Sequence, residues 1–186
     1  YPGFYESCGP QGEKLIEYVE KEWKGEKHVG ELPLDIVDQC VEHGKKAVEA
    51  MNAISVKPTK NAEEFERIKN DMECYQTFAI SFRYKVLAAQ QVLNYKWTKE
   101  IKYLDAALPL LNKSLLYWYK LAIKTDDTYH YANSMQTSHR RIPVGGDDGK
   151  FKTWKDMIPV YEEELEALQN NIYKLKNPTA KNTDVK

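Results

Sequence analysis

From Phe65 to Leu93 an apolar side chain recurs at every third or fourth position: Phe65, Ile68, Met72, Tyr75, Phe78 or Ala79, Phe82, Val86, Ala89 and Leu93. At ~3.6 residues per turn this spacing keeps one face of an α-helix apolar for about eight turns. A strand would need alternation with a period of two, which is absent here and elsewhere in the chain. A helix of this length is expected to span the whole domain.

The flanking segments carry shorter versions of the same pattern. Leu15, Ile16, Val19 and Trp23 form a stripe that Gly25 ends, and residues 26–32 read as a linker. Pro33 suits a first helical position, where its missing N–H has no partner to lose. Ile36, Val37, Cys40, Val41, Gly44, Ala47, Val48 and Met51 follow as an inner face, with Gly44 as a close-approach point. Lys57-Pro58-Thr59-Lys60 reads as a turn. Asn61 with Glu64 resembles a capping box. A fourth helix begins near Thr98, with Ile101, Leu104, Leu108, Leu111, Leu115, Trp118 and Ala122 inward, and Pro109 is expected to kink it. Thr153 with Asp156 caps a last helix near Pro159, whose inner face is Val160 or Tyr161, Leu165, Leu168 and Ile172.

These elements imply an all-α fold: an up-and-down antiparallel bundle of about five helices with one long irregular segment, residues 125–152. The 186 residues fit one domain, with 1–9 as a lead-in and 177–186 as a flexible tail. The chain opens Tyr1-Pro2-Gly3-Phe4-Tyr5, without Met or a signal pattern, so a module excised from a larger protein is expected.

Composition narrows the function. With 28 acidic and 27 basic residues, the net charge of −1 lacks the basic excess of a nucleic-acid binder. No apolar run approaches the roughly 20 residues of a membrane span. Cys8, Cys40 and Cys74 stand far apart, with no metal or redox pairing; Cys40 and Cys74 read as small buried side chains. No nucleophile elbow, phosphate loop or dinucleotide fingerprint appears, and no cofactor is expected.

The segment from 125 to 152 is the part that helical packing does not explain. Tyr129, Tyr131 and Trp154 offer flat faces for a sugar ring. Asn133, Gln136 and His139 offer hydrogen bonds to hydroxyls, and Arg140 and Arg141 suit a carboxylate or sulfate. The competing reading is structural: the tyrosines anchor the segment on the bundle and the arginines bond helix C-terminal carbonyls. Gly145-Gly146-Asp147-Asp148-Gly149 reads as a turn and not a calcium loop. His130 and His139 lack metal-site spacing. The run Glu162, Glu163, Glu164 and Glu166 reads as a solvated helix face. Tyr75, Phe78, Phe82, Tyr117, Trp118 and Tyr119 read as core or as an aromatic groove; the consecutive Tyr117-Trp118-Tyr119 cannot all face one side, so an exposed aromatic platform is a second candidate site.

The run from Tyr131-Ala132-Asn133-Ser134-Met135-Gln136-Thr137-Ser138-His139-Arg140-Arg141-Ile142-Pro143 through Thr153-Trp154 to Ile158-Pro159-Val160-Tyr161-Glu162-Glu163-Glu164-Leu165 resembles the helical C-terminal region of large secreted bacterial polysaccharide-degrading proteins. The resemblance implies a glycan setting, neutral or acidic, a neighbouring catalytic domain, and a secreted, periplasmic or cell-surface parent. The leading expectation is a non-catalytic module of a carbohydrate-active protein that binds glycan or supports the catalytic domain. A structural or protein-interaction bundle, through dimerisation or domain packing, is the alternative. A polysaccharide-active enzyme with a Tyr/His/Arg site is the third.

Overall fold

A computed structural model of the chain describes residues 11–55, 58–129, 133–137, 140–143 and 152–178, the two segments between 133 and 143 through their backbone alone. Among these residues are five helices: α1 (Leu15–Lys24), α2 (Pro33–Asn52), α3 (Ala62–Thr98), α4 (Lys102–Thr125) and α5 (Ile158–Lys176). The fold is all-α, as the periodicity implies. The 37 residues of α3 make a rod of about 55 Å at ~1.5 Å per residue, and the other helices pack along it.

Local chemistry sets the ends. Gly25 takes a φ of +68°, and the N–H groups of Gly25 and Glu26 return to the carbonyls of Glu22 and Lys21 to close α1. Pro33 opens α2. Lys99, at φ +61°, reverses the chain tightly between α3 and α4. The Asn61–Glu64 box does not form. Asn61 itself is left-handed at φ +56°, and its side chain makes no capping bond. A capping residue normally sits in the extended region, with its side chain aimed at the first free N–H groups. Pro109 sits on an exposed position of α4, and the helix runs through it.

Pairwise contacts fix the directions. Ser81 meets Ser114 and Glu73 meets Lys124, so α3 and α4 are antiparallel. Gly44 lies against Gln76 while Asp38 pairs with Arg83, so α2 and α3 are antiparallel. Asp105 pairs with Lys176 at 2.7 Å and Tyr119 with Glu162, so α5 runs back along α4. A Cβ added to Gly44 would stand 2.9 Å from the Gln76 Cα, which confirms the expected close approach.

Two cores flank the rod. One gathers Leu15, Val19, Val37, Val86, Ala89 and Leu93 where α1 and α2 meet the C-terminal half of α3. The other gathers Cys74, Trp118, Leu121 and Met157 near the opposite end, with Trp154, Ile158 and Tyr161 packed against it.

The long stripe divides between these halves. Phe65, Ile68, Met72, Tyr75, Ala79, Phe82, Val86, Ala89 and Leu93 follow a strict seven-residue repeat with alternating spacings of three and four. Its C-terminal part, Val86, Ala89 and Leu93, is buried beneath α1 and α2. Its N-terminal part is not: Ile68 is 43%, Tyr75 65% and Phe82 39% exposed. There the buried residues are Cys74, Thr77 and Ser81, on the side of α3 that faces α4. The stripe is therefore buried over its C-terminal part and stands partly open over its N-terminal part. The ten-residue α1 is too short to cover it.

Other inward assignments also change. Cys40, expected to be buried, is exposed, and Ile36 is on the same outer side of α2; Val37 and Gly44 carry the contact instead. Trp23 is largely exposed, with its ring stacked on Trp97 at 5.1 Å. Within 125–152, where no strand was expected, Asn133–Thr137 (β1) and Arg140–Pro143 (β2) form an antiparallel pair with a bulge between Met135 and Thr137. Each strand holds one long apolar side chain, Met135 or Ile142, too few to register a period.

Candidate functional site

The end of the bundle where α3, α4 and α5 meet is built from aromatic rings. Trp118 of α4 is buried, and its indole N–H donates to the Trp154 carbonyl at 2.9 Å. Its ring meets Trp154 edge-on at 5.3 Å and Tyr161 at 4.5 Å. Phe78 meets Trp154 at 5.9 Å and stacks on Phe82 at 6.1 Å. Edge-on and offset pairs of this kind place the positive ring edge against a negative face.

Trp154 reaches this cluster because of the turn that precedes α5. The Thr153 N–H and hydroxyl both donate to the Asp156 carboxylate, at 2.9 and 2.8 Å, and the Asp156 N–H returns to the Thr153 hydroxyl oxygen at 3.2 Å. The reciprocal bonds expected of Thr153 and Asp156 thus form, but on the turn ahead of α5; the helix itself starts after Met157, with no side-chain cap bond. These bonds hold the Asp156 carboxyl below its ordinary value.

Between the helices lies a cleft of about 200 Å³, lined by Phe78, Ser81, Phe82, Lys85, Ser114, Leu115, Trp118 and Tyr161. Lys85 stands at its α5 side, 4.0 Å from the centre of the Tyr161 ring and 2.7 Å from a Glu164 carboxylate oxygen. Burial pushes the Tyr161 hydroxyl up to about 12, with Glu164 adding to the effect, so it stays protonated at any working pH. The Ser81 and Ser114 hydroxyls are already engaged with each other's helices. The cleft can hold a ring by its faces; its described groups make no arrangement of nucleophile and base. Among the described residues no His, Cys, Asp and Glu group is placed to hold a metal ion, and no helix is long and apolar enough to cross a membrane.

Of the residues singled out from sequence, two have described side chains. Tyr129 is partly exposed and its hydroxyl donates to the Asp71 carboxylate of α3. Trp154 packs into the aromatic cluster. Lys155 adds a 2.8 Å pair to Asp126. All three contacts tie the segment to the bundle. Asn133, Gln136, Arg140 and Arg141 lie on the hairpin, Asn133 opposite Pro143 and Arg141 opposite Met135. Tyr131 and His139 lie outside the described residues, as do the glycine turn, His130 and Cys8.

Of the second candidate set, Trp118 is buried, and Tyr75, Phe78 and Phe82 form the exposed row. Tyr119 donates to Glu162, a bond that raises its hydroxyl above the ordinary value. Lys85, Ser81 and Ser114 had no sequence signal: a lone lysine and two small polar residues in long helices read as solvated or filler positions.

No family model and no curated protein matches the chain. Among solved structures, a GH138 enzyme targeting pectin rhamnogalacturonan II matches with 56% sequence identity and a TM-score of 0.83. The match covers 95% of this chain and 26% of that one. The chain is thus similar, over nearly all of its length, to about a quarter of a polysaccharide-degrading enzyme.

Proposed function

We propose that this chain is a non-catalytic helical module of a longer polysaccharide-degrading protein, and that its main task is to support the catalytic part by packing against it. The observation that carries this reading is the half-covered stripe of α3. Ile68 and Tyr75 continue the same seven-residue repeat that α1 and α2 bury lower down, yet they stand exposed at 43% and 65%. Large apolar side chains exposed along one row of a helix offer a face for such a contact. The similarity to one quarter of a pectin-targeting enzyme supplies the setting: a longer chain, a pectic glycan as substrate, and a place outside the cell where such a polymer is met.

A second reading assigns the aromatic end a glycan contact. Phe78 and Phe82 each expose 39% of their surface beside Lys85, and Tyr129 and Trp154 flank the hairpin that carries Asn133, Gln136, Arg140 and Arg141. Sites of this shallow kind hold sugars at about 10 μM to mM, or roughly −4 to −7 kcal/mol.

Isothermal calorimetry and a reducing-sugar assay of the 186-residue chain with rhamnogalacturonan II separate these readings. The supporting role predicts neither turnover nor heat of binding. Saturable binding lost in Phe82→Ala moves the weight to the glycan reading. Turnover by the chain alone overturns the non-catalytic assignment.

A further inference from the structure

At the other end of the bundle, Glu13 is buried at 6% exposure just before α1. One carboxylate oxygen accepts from the Lys21 ammonium and the Val29 N–H, both at 2.6 Å. The second faces His28 Nδ1 at 2.8 Å. The other ring nitrogen, Nε2, faces the Glu22 carboxylate at 2.6 Å. Both nitrogens of one imidazole therefore point at carboxylates, and only the doubly protonated ring can donate to both. The ring also stacks on Tyr18 at 4.5 Å.

This cluster fastens α1. The Glu13 N–H donates to the Glu31 carbonyl and the Glu31 N–H to the Gln11 carbonyl, at 2.9 and 3.2 Å, so the stretch before α1 is tied to the loop after it. Gly30, at φ +81°, permits that approach; a Cβ there would fall 2.0 Å from the Gln11 carbonyl oxygen. A helix of ten residues does not hold itself together in water. α1 is kept by Leu15 and Val19 on α3 and by this clasp.

We propose that His28 is a pH-dependent latch on α1: as imidazolium it bridges Glu13 and Glu22, and on deprotonation it loses one of the two bonds and lets α1 lift from Val86, Ala89 and Leu93. Lifting α1 would remove one of the two helices, α1 and α2, that cover Val86, Ala89 and Leu93 on the α3 stripe. The charged and titratable groups around the ring are Glu13 ahead of α1, Tyr18, Lys21 and Glu22 on α1, and Asp35 of α2, which acts on Tyr18; Glu26 and Lys27 precede His28 in the loop.

The bonds to Glu22 and Glu13 raise the His28 pKa above its ordinary 6.5. A raised folded value means that the latch is complete below 6.5 and is lost as pH rises through the folded value. Proton NMR of His28 and amide exchange from about pH 6 to 9 test the latch. The ring should titrate above 6.5, and protection factors at Val19 and its α1 neighbours should fall by up to about tenfold per pH unit between 6.5 and that midpoint and level off above it. Leu111 and Leu121 in α4 should stay constant. His28→Gln, neutral at every pH, should show weak and pH-invariant α1 protection. A ring that titrates at or below 6.5, or α1 protection that does not change across this range, overturns the proposal. So does a His28→Gln chain that keeps the wild-type pH dependence. The NMR titration decides even if the variant does not fold.

Discussion

Ser81 and Ser114 exchange hydrogen bonds across the α3–α4 interface: each hydroxyl donates to the other residue's carbonyl at 2.8 Å, with the two oxygens 3.3 Å apart. Both residues are buried. The pair lets two long helices approach on small side chains without leaving a polar atom unsatisfied, and it forms the floor of the aromatic cleft. Ser81→Ala should cost about 1 kcal/mol, the ordinary net worth of such a bond. The double substitution should cost less than the sum of the singles, because the two hydroxyls also touch each other at 3.3 Å and each single variant already loses that contact. Urea unfolding of the three variants measures both statements.

Two glycines separate steric from conformational demand. Gly44→Ala must push α2 off the Gln76 backbone, because the new Cβ would sit 2.9 Å from its Cα; overpacking of this sort costs about 1–3 kcal/mol. Gly25→Ala meets nothing within 4 Å, but its φ of +68° is left-handed, at a cost of about 1–2 kcal/mol. A compensating truncation, Gln76→Ala, should leave the Gly44→Ala cost nearly unchanged, since the clash is with backbone. Thermal unfolding distinguishes the cases.

The helices were legible because each carries a period near ~3.6 residues. Gly25, Pro33 and the Thr153–Asp156 pair also acted as their chemistry dictates. What the sequence did not show is which face finds a neighbour. Tyr75 and Ala89 occupy equivalent stripe positions, yet one is 65% and the other 8% exposed. The difference lies in α1, a partner ten residues long. Cys40 failed for the same reason: helical spacing gives a face and leaves its occupant open. At the two ends of the 125–152 segment, Tyr129 bonds Asp71 and the Trp154 carbonyl accepts from Trp118, contacts between distant parts of the chain that no local spacing encodes. The hairpin was invisible because paired strands of four and five residues leave too little pattern.

Trp118 should be the costliest single truncation in the aromatic end. Trp118→Phe removes the bond to the Trp154 carbonyl, about 1 kcal/mol. Trp118→Ala also leaves a void beside Trp154 and Tyr161 and should cost about 3–5 kcal/mol. Near-ultraviolet circular dichroism of the Trp154 environment, read with the unfolding midpoint, checks that the loss is local.

Acid should weaken the chain partly through Glu13. Burial alone would raise its carboxyl, but hydrogen bonds from Lys21, His28 and the Val29 N–H outweigh this and bring it from 4.5 to about 2. A lowered folded value stabilises the fold above 4.5, and that contribution is lost as pH falls toward 2. Glu13→Gln should therefore lower stability at about pH 6 by about 1–3 kcal/mol, the range for a lost charged partner, and flatten the decline between pH 4.5 and 2. Denaturant midpoints of both chains across this range supply the comparison.

The supporting role rests on the open half of the α3 stripe, and side-chain footprinting reads it directly. Hydroxyl-radical labelling of Ile68 and Tyr75 is compared in the 186-residue chain and in the longer protein proposed to contain it, with Ile123, 78% exposed on α4, as the reference. The account predicts that labelling of Ile68 and Tyr75 falls sharply in the longer protein while Ile123 holds steady. Equal labelling of Ile68 and Tyr75 in the two proteins would contradict it.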